Sequence, residues 1–215
     1  MKVAVWLGSA SPVRSVRWLD GALAAAAKFG DVTAIAAGDA TWLDLAADRA
    51  HRVGLASAGI PTDLSLDYLG WAQVAAAAVR QLGATCVLVD EASRPERGVS
   101  EVAALAELLD FAQLTHVVRL APDAAIIHAS RVAGSELQTV RVRGEVVLGV
   151  RIAGPAVDEY PTPMPSTSMR RLDLTALGLD PKVLAHRALP PRTAAQPKKT
   201  VERIAVHLAM HLVKP

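Results

Sequence analysis

Thr85 to Leu120 reads TCVLVDEASRPERGVSEVAALAELLDFAQLTHVVRL, and this stretch decides the fold. Thr85 to Val89 is a short, β-branched apolar run of the kind buried on both faces of a parallel sheet. It empties into a polar, proline-broken loop from Asp90 to Arg97, which Gly98 ends. Ser100 and Glu101 then open a helix whose Val102, Leu105, Ala106, Leu108 and Leu109 form one apolar face, and Leu114 to Leu120 returns as the next strand. In a doubly wound sheet, ligands lie outside the carboxyl ends of the strands. The loop and the helix start are therefore where a nucleotide is expected.

Upstream, the same rhythm extends to the first residue. Val3 to Leu7 reads as a strand followed by the turn Gly8-Ser9-Ala10-Ser11-Pro12, which lacks the spacing of either glycine-rich phosphate fingerprint. A helix follows from about Ser15 to Lys28, with Trp18 on its core face. Val32 to Ala37 is the second strand, closed by Gly38 and Asp39. Thr41 to Val53 is a helix stopped by Gly54, and Asp67 to Leu82 is an alanine-rich amphipathic helix. Downstream the pattern changes. Ile126 to Arg131, Leu137 to Arg143 and Val146 to Ile152, joined by Gly134-Ser135 and Gly144-Glu145, read as an antiparallel meander. The expected fold is thus α/β, a doubly wound and mostly parallel sheet with an added meander, over residues 1–180. An extended arm, 181–215, follows it, with a helix from about Thr200 to Val213.

Composition narrows the function. The chain has 215 residues, 52% of them hydrophobic, and a net charge of +2. It carries no apolar run long enough to span a bilayer, and its start is too short in apolar residues for a signal peptide, which places the protein in the cytoplasm. Basic residues gather at the end, where Lys182, Arg187, Arg192, Lys198, Lys199, Arg203 and Lys214 face Glu202 alone. These are sparse and without interleaved aromatics, so they suit an acidic protein surface better than nucleic acid. Cys86, the one cysteine, excludes an internal disulfide and sits in an apolar strand that keeps its thiol protonated. His207 and His211 stand four apart on a helix but lack a third metal ligand. Asp90 and Glu91 stand at the carboxyl end of a strand, where a site could form, but paired acids in a loop are more often solvated. No nucleophile elbow, zinc spacing or carboxylate pair makes a catalytic set.

Leu105-Ala106-Glu107-Leu108-Leu109-Asp110-Phe111-Ala112-Gln113-Leu114-Thr115 resembles the Leu-Ala-Glu-x-Leu-x-x-Pro-Gln-x-Thr segment of the beta subunit of electron transfer flavoproteins. Val32 to Gly38 is similar to the second strand and turn of that family, and Pro190-Pro191-Arg192-Thr193-Ala194 to its Pro-Pro-x-Arg-Thr-Ala arm. Pro165-Ser166 and Met169-Arg170 fit its recognition loop, whose leucine is absent here. By resemblance, Met164 or Met169 would be the apolar anchor of partner docking, flanked by Pro165 and Arg170. A solvated linker is the rival reading of that loop.

The resemblance implies an electron carrier and not an enzyme. FAD would be held mainly by an alpha subunit, with which this chain forms a heterodimer, and the electrons would come from acyl-CoA or other flavin dehydrogenases. It also implies AMP in the crevice of this subunit, lined by Trp6, Ala37, Gly38, Asp90, Arg97, Gly98, Val99, Ser100 and Glu101. Trp6 stands where the family has a small residue beside the adenine. Glu101 brings a negative charge toward the phosphate, which Arg97 would offset. An AMP site and an altered, empty pocket both fit this pattern. A free-standing adenine-nucleotide-binding module without a redox role is the alternative function.

Overall fold

The computed structural model describes residues 1–9, 16–91, 98–153 and 168–185. In chain order its elements are β1 (Lys2–Ser9), α1 (Val16–Ala26), β2 (Asp31–Gly38), α2 (Ala40–Arg52), β3 (Ala56–Pro61), α3 (Tyr68–Leu82) and β4 (Cys86–Asp90). Then come α4 (Gly98–Leu109), β5 (Ala112–Asp123), β6 (Ile126–Ala133), β7 (Glu136–Arg143), β8 (Val146–Val150), β9 (Arg170–Arg171) and α5 (Pro181–Ala185). One nine-stranded sheet holds them in the order β7-β6-β5-β8-β4-β1-β2-β3-β9. Every pairing from β5 to β9 is parallel, and the β5–β6 and β6–β7 pairings are antiparallel. The α/β class with a mostly parallel sheet is as expected.

Two cores sandwich the sheet. Alternate residues of β1 divide between them: Val3, Val5 and Leu7 join α1 and α2, whereas Ala4 and Trp6 join α3 and α4, as the two-residue period of a strand requires. Helix ends follow local chemistry. The Asp39 and Asp67 carboxylates cap α2 and α3 by accepting from the backbone N–H groups of Trp42 and Gly70 at 2.8 and 2.7 Å, satisfying donors that a helix leaves open. Gly83 ends α3 at φ 66, a left-handed position where a side chain is disfavoured. Arg49 of α2 reaches Asp20 of α1, which is buried, with bonds of 2.8 and 2.7 Å to its two oxygens, locking the helices on that face together.

Three strand assignments differ from expectation. Val146 to Ile152 is not the third strand of a meander: β8 is inserted between β4 and β5, parallel to both and buried along its whole length. The antiparallel ribbon consists instead of β5, β6 and β7. β3 was not expected at all, because Ala56-Ser57-Ala58-Gly59-Ile60-Pro61 is poor in strand formers, and its pairing with β2 supplies what propensity does not. β9 adds two residues beyond β3 at the sheet edge.

The register also shows that β5 is bent. Arg143 ends β7 opposite Ile126, beside Asp123 at the end of β5, yet Val146 pairs with Ala112 at the start of β5. Three Cα steps reach about 11 Å at most, and the three lateral steps between paired strands add about 5 Å each, which falls short of the roughly 36 Å that a straight strand as long as β5 spans. The break lies at His116, which has φ 59 and register shifts on both sides.

Candidate functional site

Strand order locates the crevice. β1, β2 and β3 proceed to one side, and β4 lies on the other side of β1, so the direction reverses between β1 and β4, where ligands of open α/β sheets bind. Trp6 and Val89 are paired there. The indole of Trp6 donates from Nε1 to Oε1 of Glu101 at 2.6 Å, with both residues 1% exposed. Two expected nucleotide contacts, 95 positions apart, thus meet each other. A charge-assisted bond of this length satisfies the indole donor and one carboxylate oxygen away from water.

The other expected contacts in the described residues lie at the ends of β2 and β4 and at the start of α4. Gly8, with φ 71 beside a register shift in β1, turns its carbonyl to accept from the indole of Trp42 at 3.1 Å. Ala37 and Gly38 end β2 in buried positions, and the Gly38 carbonyl accepts from Thr62. Asp90 ends β4 and is 7% exposed. Gly98, Val99 and Ser100 form the first turn of α4, with side chains outside the described residues, as is Arg97. For a phosphate, the described groups fit poorly: a buried carboxylate stands in the first turn of α4, where an anion needs donors, and the Trp6 ring lies against it.

Beside the crevice is a second buried acid, and it corrects the reading of Asp90 and Glu91 as solvated. Glu91 is fully buried. Its Oε2 accepts the backbone N–H of His116 at 2.8 Å, which is the donor the break in β5 removes from the ladder. Nε2 of His116 lies 3.7 Å from Oε1, and Nε of Arg151 lies 3.7 Å from Oε2. Among the described residues, neither Oε1 of Glu91 nor Nε of Arg151 has a hydrogen-bond partner. Gly149 makes the room, since a Cβ there would come within 2.9 Å of Oε2. The Val117 carbonyl accepts from Arg151 N–H at 2.7 Å and closes the other side of the break. Glu91 therefore acts as a substitute ladder acceptor, with the Arg151 guanidinium balancing its charge and the His116 ring beside it. His116, Gly149 and Arg151 were absent from the sequence expectations, and no spacing announces them.

Met164 and Pro165 lie outside the described residues, as do the arm from 186 onward and both His207 and His211. Met169 is half-buried and packs on the α1 and α2 core, its sulfur above Gly59, where a Cβ would stand only 2.6 Å away. Arg170 is exposed in β9. The side chain of Trp18 is also outside the described set. Cys86 is buried, which pushes its thiol up from 9.0 to about 12, as an apolar strand should.

Among the described residues no group of three metal-ligating side chains converges, and no helix is long and apolar enough to cross a membrane. Compared with known proteins, the chain matches no family model, and no curated protein matches it.

Proposed function

We propose that this chain is the beta-type subunit of a heterodimeric electron transfer flavoprotein in the cytoplasm. In this reading it accompanies an alpha subunit that holds most of the FAD and receives electrons from acyl-CoA or other flavin dehydrogenases. The resemblance over Leu105 to Thr115 motivates the reading, and the sheet is compatible with it. The observation that carries the assignment of a scaffolding role is the Trp6–Glu101 bond at the crevice. An indole and a carboxylate engaged with each other suit a subunit whose own crevice is closed by protein. On this proposal no AMP is bound here, and the chain shapes and docks a flavin held chiefly by its partner.

The test is the visible spectrum and denaturing mass spectrometry of the tagged full chain purified from its own host. The expected result is a yellow complex with one larger subunit, FAD released on denaturation and no AMP. AMP in the extract would overturn the closed crevice while leaving the electron carrier standing. A colourless protein without a partner would overturn the carrier and favour the free-standing module.

A further inference from the structure

β7 is the last strand of the sheet on its side, and no described residue pairs with its outer edge. The two-residue turn Gly134-Ser135, with Gly134 at φ 62, joins it to β6. In such a hairpin the closing pair, Ala133 and Glu136, is hydrogen-bonded. Counting by twos, Glu136, Gln138, Val140 and Val142 direct their backbone groups to β6. Leu137, Thr139, Arg141 and Arg143 direct theirs to the open edge. These same four residues are exposed, and Leu137, at 57%, faces Val132, at 45%, across the ribbon.

The two charged residues among the four outward ones, Arg141 and Arg143, are both basic, and Glu136, also exposed, lies on the other face of β7. Neither Arg141 nor Arg143 is in an ion pair among the described residues. Arg141 stands opposite His128, and His128 shares a cleft of about 630 Å³ with Lys28 and Arg119. Asp123 lies 3.8 Å from His128. Arginines on an edge discourage self-pairing. A second copy fully overlapped and antiparallel along β7 would set Arg143 opposite Leu137 and Arg141 opposite Thr139, with the two Arg141 side chains diagonal neighbours, so neither arginine would meet an acid.

We propose that the open edge of β7 docks an extended, acidic segment of a partner protein, which adds to the sheet as an antiparallel strand. Four outward residues supply the main-chain ladder, and alternate side chains supply selectivity. The segment carries acids opposite Arg143 and Arg141, a small hydroxyl residue opposite Thr139 and an apolar residue opposite Leu137. This goes beyond the flavoprotein reading and does not depend on it.

The test uses the full chain and a labelled peptide, Glu-Val-Glu-Val-Thr-Gln-Leu, with a control in which both Glu are Lys. Fluorescence anisotropy should show the acidic peptide binding at least about tenfold more tightly than the control. Hydrogen exchange on binding should slow at the amides of Leu137, Thr139, Arg141 and Arg143. Gln138, Val140 and Val142, already bonded to β6, should not change. The double variant Arg141→Glu/Arg143→Glu should reverse the preference between the peptides, a gain of binding that misfolding cannot mimic. No binding up to about 1 mM, a range that covers weak short-peptide contacts, would overturn the proposal. So would binding indifferent to charge, or protection of the four amides by the protein's own concentration without peptide.

Discussion

Two carboxylates, Glu91 and Glu101, are buried within ten residues of each other at the carboxyl end of the same sheet, and they do different work. Glu101 meets a neutral indole in a single short bond that joins α4 to β1. Glu91 meets a backbone N–H, with a guanidinium and an imidazole at longer range, and its task is to satisfy a strand that breaks. The first fills a place where folds of this kind receive a ligand. The second repairs the ladder. Burial alone, equal in the two, does not reveal the role of an acid; the partner does.

Substitutions separate the two. Trp6→Ala should have the largest effect, a loss of about 3–5 kcal/mol of stability by denaturant unfolding, since a large buried ring is removed. Trp6→Phe retains most of the ring and drops the donor to a charged acceptor, so about 1.5–3 kcal/mol is expected. A Phe variant as stable as the parent would show that the Glu101 bond contributes nothing to stability. Glu91→Ala should cost about 2–3 kcal/mol by leaving the His116 N–H without its acceptor, and exchange at that amide should accelerate. Glu91→Gln, which retains an oxygen acceptor, should cost less than the Ala variant; equal losses would mean that charge, and not the ladder, is what Glu91 supplies.

Gly149→Ala comes next. A Cβ 2.9 Å from Glu91 Oε2 and 3.1 Å from Val102 should overpack the site by about 1–3 kcal/mol. Combined with Glu91→Ala the loss should fall short of the sum of the single losses, because the clash is with the side chain that has been removed. Additive losses would break the link between Gly149 and the buried acid.

Cys86 has no effect at neutral pH and gives a contrast, a buried group with no counter-charge among the described residues. Its pKa is raised from 9.0 to about 12. Below pH 9 the thiol is protonated whether folded or unfolded, and its contribution to stability is fully present. As pH rises from 9 toward 12 the unfolded thiol ionises first, so that contribution is lost. Native protein at pH 8 should resist iodoacetamide and react at once when unfolded; rapid native alkylation would contradict the burial.

The alternation of strand and helix before Leu120 was legible because each amphipathic stretch repeats at its own period and ends in Asp, Gly or Pro chemistry. β3 was not, since Gly59 and its small neighbours carry little strand preference and the site makes room for Met169. The signal for β8 was present and misread. Val146-Val147-Leu148-Gly149-Val150 is continuously apolar, the mark of a strand covered on both sides, whereas β6 and β7 alternate. At the site, Trp6 and Glu101 were each visible as individuals, but a contact between residues 95 positions apart leaves no trace in local pattern. The burial of Glu91 was hidden for a similar reason: it follows from the break at His116, which propensity does not foretell.

The insertion of β8 between β4 and β5 also sets an order for synthesis. β1 to β4 can assemble as they emerge from the ribosome, but the flank of β4 stays uncovered until residue 150 has been made and has cleared the exit tunnel. For that interval the growing chain carries an apolar strand edge open to other nascent chains. The antiparallel ribbon, made before β8 and built on a short hairpin, can form first. β8 then acts as the keystone that joins two separately formed pieces into one sheet.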